Sequence, residues 1–176
     1  MSARAASRLL LLLLAVPAAA APLPAPAPLP GPLVIVGGGK MPDDVRKAFF
    51  DLAGGEKAKI VVVPTASAAA DDALKADGFL TEWKKLNPAS VVLLHTRDKK
   101  TADDPEFSTA LADATGLWFS GGDQAKLAEV YRGTAAAKAF HALHARGGVV
   151  GGTSAGAAVQ SDPMITGGQN VATTGP

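Results

Sequence analysis

The chain contains no cysteine. That absence removes a disulfide framework, a thiolate metal site, a lipid-modified cysteine and a cysteine nucleophile from consideration. Neither sign of charge is in excess, with 17 basic against 16 acidic side chains in 176 residues. No basic stripe is present to displace counterions from phosphates, so a nucleic-acid partner is not expected. Also missing is a long apolar run. Leu9 to Val16 is eight residues, against roughly 20 for a helix that spans a bilayer. The sequence has no internal repeat.

What is there begins with an address. Arg4 and Arg8 flank the start, Leu9–Val16 is unbroken and apolar, and Ala18 to Ala21 are small. A basic leader, an apolar core and a small-residue cleavage region make a secretory signal peptide of residues 1–21, with an uncleaved membrane anchor as the plain alternative. A secreted or periplasmic product follows, with no membrane attachment after cleavage. Residues 22–32 alternate Pro, Ala and Leu. Such a stretch cannot form a helix, favours polyproline II and reads as a short stiff linker. Residues 33–176 are enough for one domain with its own core.

Within that domain, short apolar runs alternate with amphipathic stretches. Leu33–Val36 reads as a buried first strand of a parallel sheet, ended by Gly37-Gly38-Gly39. GGGK lacks the spacing of a P-loop or a dinucleotide fingerprint, so a backbone turn near the active edge is expected. Asp43–Leu52 is a helix opened by Pro42 and two aspartates. Ile60–Val63 is the second strand, stopped by Pro64. Thr65, Ala66 and Ser67 then fall at its carboxyl end, where open parallel sheets place ligands. Their hydroxyls can touch substrate or cap the next helix. Asp71–Leu86 is one helix or, because Gly78 weakens it, two pieces, with Leu74, Phe79, Leu80, Trp83 and Leu86 facing inward. Val91–Leu94 is the third strand, and it ends in His95-Thr96-Arg97-Asp98. His95 is there a candidate base, or a loop histidine satisfied by a nearby carbonyl. A helix over Asp104–Ala114, a strand over Gly116–Phe119, and helices over Lys126–Tyr131 and Ala135–Ala145 complete the alternation. His141 and His144 share one helical face, but no third metal ligand is nearby, so they are expected to be solvent-exposed and no metal site is assigned.

Chemistry concentrates in GGVVGGTSAGAAVQS, residues 147–161. An apolar strand (Val149, Val150) runs into Gly152-Thr153-Ser154-Ala155-Gly156 and out into an alanine-rich helix. This is the pattern of a nucleophile elbow, G-x-S-x-G. The residue at the bend sits in strained backbone, and its neighbours two before and two after must be small. The bend aims the first free N–H groups of the next helix at the serine hydroxyl, where they can stabilise an oxyanion. A glycine-rich turn that merely links strand to helix is the plain alternative. A second motif, Ser120-Gly121-Gly122-Asp123-Gln124, follows the Gly116–Phe119 strand. Its glycines let backbone N–H groups approach a ligand, and the Gln124 amide can donate and accept at once.

Together GGTSAGAAVQSDPMITGG, WFSGGDQAKL at 118–127 and VVVPTAS at 61–67 resemble the cyanophycinase and dipeptidase E family of serine peptidases, in the same order from about Leu33 to Pro176. The resemblance implies a three-layer α/β fold with an open, mostly parallel sheet, of the class I glutamine amidotransferase-like (flavodoxin-like) kind. It implies Ser154 as nucleophile, the backbone N–H groups of Gly122 and Ala155 as the oxyanion hole, and Gln124, with Asp123 and Thr65, as substrate contacts. No cofactor is implied. The substrate would be a peptide, either β-linked aspartyl-arginine polymer or short aspartyl dipeptides, and a homodimer is compatible with it.

One part of the resembled pattern has no counterpart. The family's histidine follows the nucleophile in a segment of the form DQHF, whereas His95, His141 and His144 all precede Ser154. An unassisted serine hydroxyl is a poor nucleophile at neutral pH. The expectation is therefore a C-terminally truncated peptidase domain that lacks its general base, is inactive alone, and leaves part of its apolar core exposed. The competing reading is a non-catalytic binding module on the same scaffold.

Overall fold

Five short apolar runs lie side by side in the computed structural model, which describes residues 30–165. The expected signal peptide and most of the linker fall outside the described residues, as does 166–176. The strands are β1 (Leu33–Val36), β2 (Lys59–Val63), β3 (Ser90–Leu93), β4 (Gly116–Phe119) and β5 (Val149–Thr153). Their order is β1-β5-β4-β2-β3 and every pairing is parallel. All five carboxyl ends therefore meet at one rim.

Period-two alternation divides the strand side chains between two layers. Ile60, Val62, Trp118 and Val149 pack on one face under α1 (Asp43–Leu52), with the short α2 (Ala73–Ala76) leading to α3 (Gly78–Lys84), which covers the rest. Phe49 meets Trp83 and Trp118 edge to face there and the two tryptophans are tilted at 58° to each other, with centroids 5.1 to 5.2 Å apart. Val61, Val63, Leu117, Phe119 and Val150 face the other way. They lie under α4 (Lys99–Asp103), a 3-10 stretch over Pro105–Leu111, α5 (Gln124–Tyr131) and α6 (Ala135–Ala145). A final turn of helix, α7 (Ala155–Ala158), leaves β5. Burial of such aliphatic side chains contributes about 1.5–3 kcal/mol each, and it is what holds these short helices in place.

The open three-layer α/β architecture is as expected, and the sheet is parallel throughout. Three local expectations are corrected. Over Asp71–Leu86 the two pieces are α2 and α3, and what is overturned is Leu74, which is 94% exposed rather than inward. Asp72 caps α2 through Leu74 N–H at 3.0 Å, and α3 begins at Gly78. The helix expected over Asp104–Ala114 is the 3-10 stretch. There the hydroxyls of Ser108 and Thr109 donate to carbonyls three residues back, at 3.3 and 3.0 Å. Such back-bonding competes with the wider α-helical turn. Third, β1 is not buried on both faces. It is an edge strand among the described residues, and Leu33 and Ile35 are 51% and 56% exposed.

Two neighbouring strands send their chains to opposite faces. β1 leads to α1 on one side, and β5 leads to α7, whose Ala155 belongs to the core on the other. The carboxyl ends of β1 and β5 thus bound a crevice at a switch point of the sheet, the place where open α/β sheets bind ligands.

Candidate active site

Ser154 stands at that crevice. Its backbone has φ 52° and ψ −114°, a conformation that non-glycine residues rarely adopt, and holding it there costs on the order of 1–3 kcal/mol. Two features impose it. The Ser154 N–H donates to the Val36 carbonyl at 2.9 Å and so continues the β1–β5 ladder to the bend. Immediately afterwards α7 begins, and the Ser154 carbonyl accepts the N–H groups of Ala157 and Ala158, both at 2.9 Å. The bend is possible only because Gly152 and Gly156 lack side chains. A Cβ on Gly152 would lie 2.2 Å from the Gly156 oxygen, and one on Gly156 would lie 2.1 Å from the Phe119 oxygen. The result is an exposed serine between a buried strand and a buried Ala155.

Two glycine loops converge on it. A Cβ built on Gly38, after β1, would be 3.6 Å from Ser154 Cβ and 3.9 Å from its Oγ; one built on Gly121, after β4, would be 3.4 Å from Ser154 Cβ. The turn after β1 therefore lies beside Ser154. Among the described residues, the N–H groups of Gly122 and Ala155 make no hydrogen bond. Gly122 itself has φ 144° and lies against Ala66, whose carbonyl accepts the Asp123 N–H at 2.9 Å.

The other residues singled out in the sequence sit as follows. Asp123 caps α5, accepting the Ala125 N–H at 2.9 Å. Gln124 donates through Nε2 to the Ile165 carbonyl at 2.8 Å, and its Oε1 is without a protein donor among the described residues. Thr65 is placed differently from the substrate contact expected of it. It is fully buried, and its hydroxyl is 2.9 Å from His95 Nδ1 and 2.8 Å from the Tyr131 hydroxyl. Its neighbour Ser67 takes the capping role, accepting the Ala69 N–H at 3.2 Å.

His95 belongs to the same network and not to the serine. Its Nε2 is 3.1 Å from Asp71 Oδ1. Asp71 also pairs with Arg97, whose guanidinium, with help from His95, holds the carboxyl down at about 2, against an ordinary 3.8. An ionised carboxylate only accepts, so Nε2 carries a proton, and in the tautomer with Nδ1 bare that nitrogen is an acceptor. Thr65 then donates to Nδ1 and accepts from Tyr131. Burial pushes the Tyr131 phenol up, which keeps it a donor. Both ring nitrogens of His95 are thus engaged. The sequence marked this loop as polar and on the carboxyl rim, but the pairing of Arg97 with Asp71, 26 positions earlier, carries no local signal.

Of the remaining histidines, His141 is exposed as expected, while His144 is half-buried and donates from Nε2 to the Gly31 carbonyl at 2.7 Å. Both line a cleft of about 580 Å³ against Leu33, Phe140 and Met164, which does not include Ser154. Among the described residues no group of three metal-ligating side chains is close enough to hold an ion, and no histidine hydrogen-bonds Ser154.

The chain is similar to known proteins. The model of Peptidase family S51 matches residues 33–174. A cyanophycinase from Nostoc sp. is 30% identical over 127 residues, covering 71% of this chain and 42% of that protein. A cyanophycinase from Synechococcus elongatus is 34% identical over 151 residues, covering 81% of this chain and 45% of that protein. The chain thus spans less than half the length of these two relatives. Among solved structures, a peptidase from an acI-B1 Actinobacterium shares the fold with a TM-score of 0.65 and 26% identity, over 76% of this chain and 58% of that one. With the family model matching nearly all of the domain and the glycine-flanked serine at its expected bend, the chain belongs to peptidase family S51.

Proposed function

We propose that this chain carries the nucleophile side of an exported serine peptidase that cleaves aspartyl or β-aspartyl peptide bonds through an acyl-enzyme on Ser154. The observation that carries the reading is the strained, exposed Ser154 set between two glycine loops, with the Gly122 and Ala155 N–H groups unbonded. Ser154 Oγ attacks the scissile carbonyl carbon while a base takes its proton. The tetrahedral oxyanion accepts hydrogen bonds from Ala155 and Gly122, a contribution on the order of 100- to 1,000-fold for one such donor. Collapse breaks the C–N bond, the amine leaves with a proton, and water then hydrolyses the ester. Gln124 Oε1 accepts from the substrate, and Asp123 keeps the loop's helix in place. The relatives named cyanophycinase suggest β-aspartyl-arginine linkages as the first substrates to try.

None of the three histidines of this chain is placed to serve Ser154 as a base. His95 is committed to Thr65 and Asp71, His144 to Gly31, and His141 opens on a cleft away from Ser154. Exogenous imidazole can stand in for such a base. The test is arginine release from β-aspartyl-arginine and amine release from aspartyl dipeptides, with and without imidazole. The reading predicts turnover that rises with imidazole and disappears in Ser154→Ala. Equal rates in the two proteins would defeat it, and tight substrate binding without turnover would favour the binding module. Export predicts an N-terminus generated within Ala18–Pro22 when the chain is produced with its leader.

A further inference from the structure

Arg97, just beyond β3, reaches three backbone and side-chain partners that the chemistry above does not use. Its Nε and Nη2 hold the two oxygens of Asp71 at 2.8 and 2.9 Å. Nη2 also donates to the Ser67 carbonyl at 2.7 Å, and Nη1 donates to the Thr65 carbonyl. These two carbonyls flank Ala66. The Ala66 carbonyl is the acceptor for the Asp123 N–H at 2.9 Å, and it is the atom that leaves Gly122 no room for a side chain. Gly121 in turn packs against Ser154. A single line of contacts therefore runs from the guanidinium, through the 65–67 turn and the Gly121–Gly122 peptide, to the nucleophile.

We propose that Arg97 and Asp71 are positioning residues for the oxyanion loop: the pair clamps the 65–67 turn, and that turn holds the Gly121–Gly122 peptide against Ser154. The planar fork of arginine suits this task, because it serves two carbonyls and a carboxylate in fixed directions, which a lysine ammonium does not. The ion pair itself is part-exposed, with side chains 32% and 52% accessible, and an exposed pair adds little to global stability. Its effect is therefore on loop geometry. Misplacement of a donor by an ångström is enough to slow chemistry on the order of 100-fold. This inference rests on the reading of Gly122 as an oxyanion donor.

The experiment uses the full chain with imidazole and a fluorophosphonate probe of Ser154, in wild type, Arg97→Ala, Arg97→Lys and Asp71→Asn. Bonding rate constant and probe affinity are measured separately, and amide hydrogen exchange of Asp123 is followed by NMR. Arg97→Ala is expected to slow bonding on the order of 10- to 100-fold with probe affinity unchanged. Asp123 exchange is expected to quicken about tenfold while that of Val62 in β2 stays the same. Arg97→Lys and Asp71→Asn fall between, and either carries the comparison if Arg97→Ala does not fold. Unchanged Asp123 exchange in all variants overturns the clamp, and so does faster exchange with an unchanged bonding rate. A wild-type chain that forms no Ser154 adduct defeats the hydrolase reading alone, and the Asp123 comparison still decides whether Arg97 holds the loop.

Discussion

Gly152 and Gly156, two residues either side of Ser154, approach so closely that a Cβ on the first would lie 2.2 Å from the carbonyl oxygen of the second. Neither obstacle is a flexible side chain: Gly156 faces the Phe119 carbonyl in the same way, at 2.1 Å. Gly156→Ala or Gly152→Ala must move backbone at the end of β4 or in α7. Overpacking costs about 1–3 kcal/mol, and against backbone the upper end applies. Urea unfolding of each variant should show a loss of about 3 kcal/mol, whereas Gly37→Ala, which meets nothing within 4 Å, should stay within about 0.5 kcal/mol.

A hydroxyl shared by buried Tyr131 and part-buried His95 gives a second expectation. Thr65→Val keeps the shape but leaves His95 Nδ1 without its donor and Tyr131 without its acceptor. Leaving buried polar groups unpaired costs about 1–3 kcal/mol. Tyr131→Phe alone should cost less, since Thr65 still donates to His95. The two losses should not add in the double variant, because both act on one hydrogen-bonded chain; chemical denaturation of the three proteins measures this.

How much of this was legible beforehand differs by element. The expected bounds of β4, α1 and α6 agree with the structure, and α1 had an end signal as well as a clean period, in Pro42 and two aspartates. The Ser154 bend was legible too, because only glycine at both flanking positions permits it. What failed were segments whose partners are remote. β1 is apolar throughout, yet nothing in Leu33–Val36 says that one face has no cover. Thr65 sat at a ligand-facing rim by position, and only the fold brings Tyr131 and His95 to its hydroxyl. The Asp71–Arg97 pair is likewise assembled from two crossovers.

Acid sensitivity follows from that pair. Arg97 lowers the Asp71 pKa to about 2 from 3.8, with His95 adding to the effect. A carboxyl depressed on folding stabilises the native state above its unfolded value, and this support is lost as pH falls from about 3.8 through 2. Asp71→Asn removes it at every pH. Because the pair is part-exposed, the stability difference between wild type and Asp71→Asn should be small at pH 5, and urea titration should show it shrinking further between pH 4 and 2.

Leu33 and Ile35 leave an apolar stripe on β1 beside the cleft lined by Phe140 and Met164. Exposed stripes of this kind drive association. Ile35→Thr, which keeps a β-branched strand former, should raise solubility and reduce binding of an apolar dye, with a stability change within about 0.5 kcal/mol.

The central claim is that the backbone makes Ser154, and no other serine, a nucleophile awaiting a base. Intact-mass and peptide-level mass spectrometry after fluorophosphonate treatment tests it most directly. The account predicts one adduct on the peptide bearing Ser154, formed faster as imidazole is added and absent in Ser154→Ala. Adducts spread over several serines, or the same yield in Ser154→Ala, would contradict it.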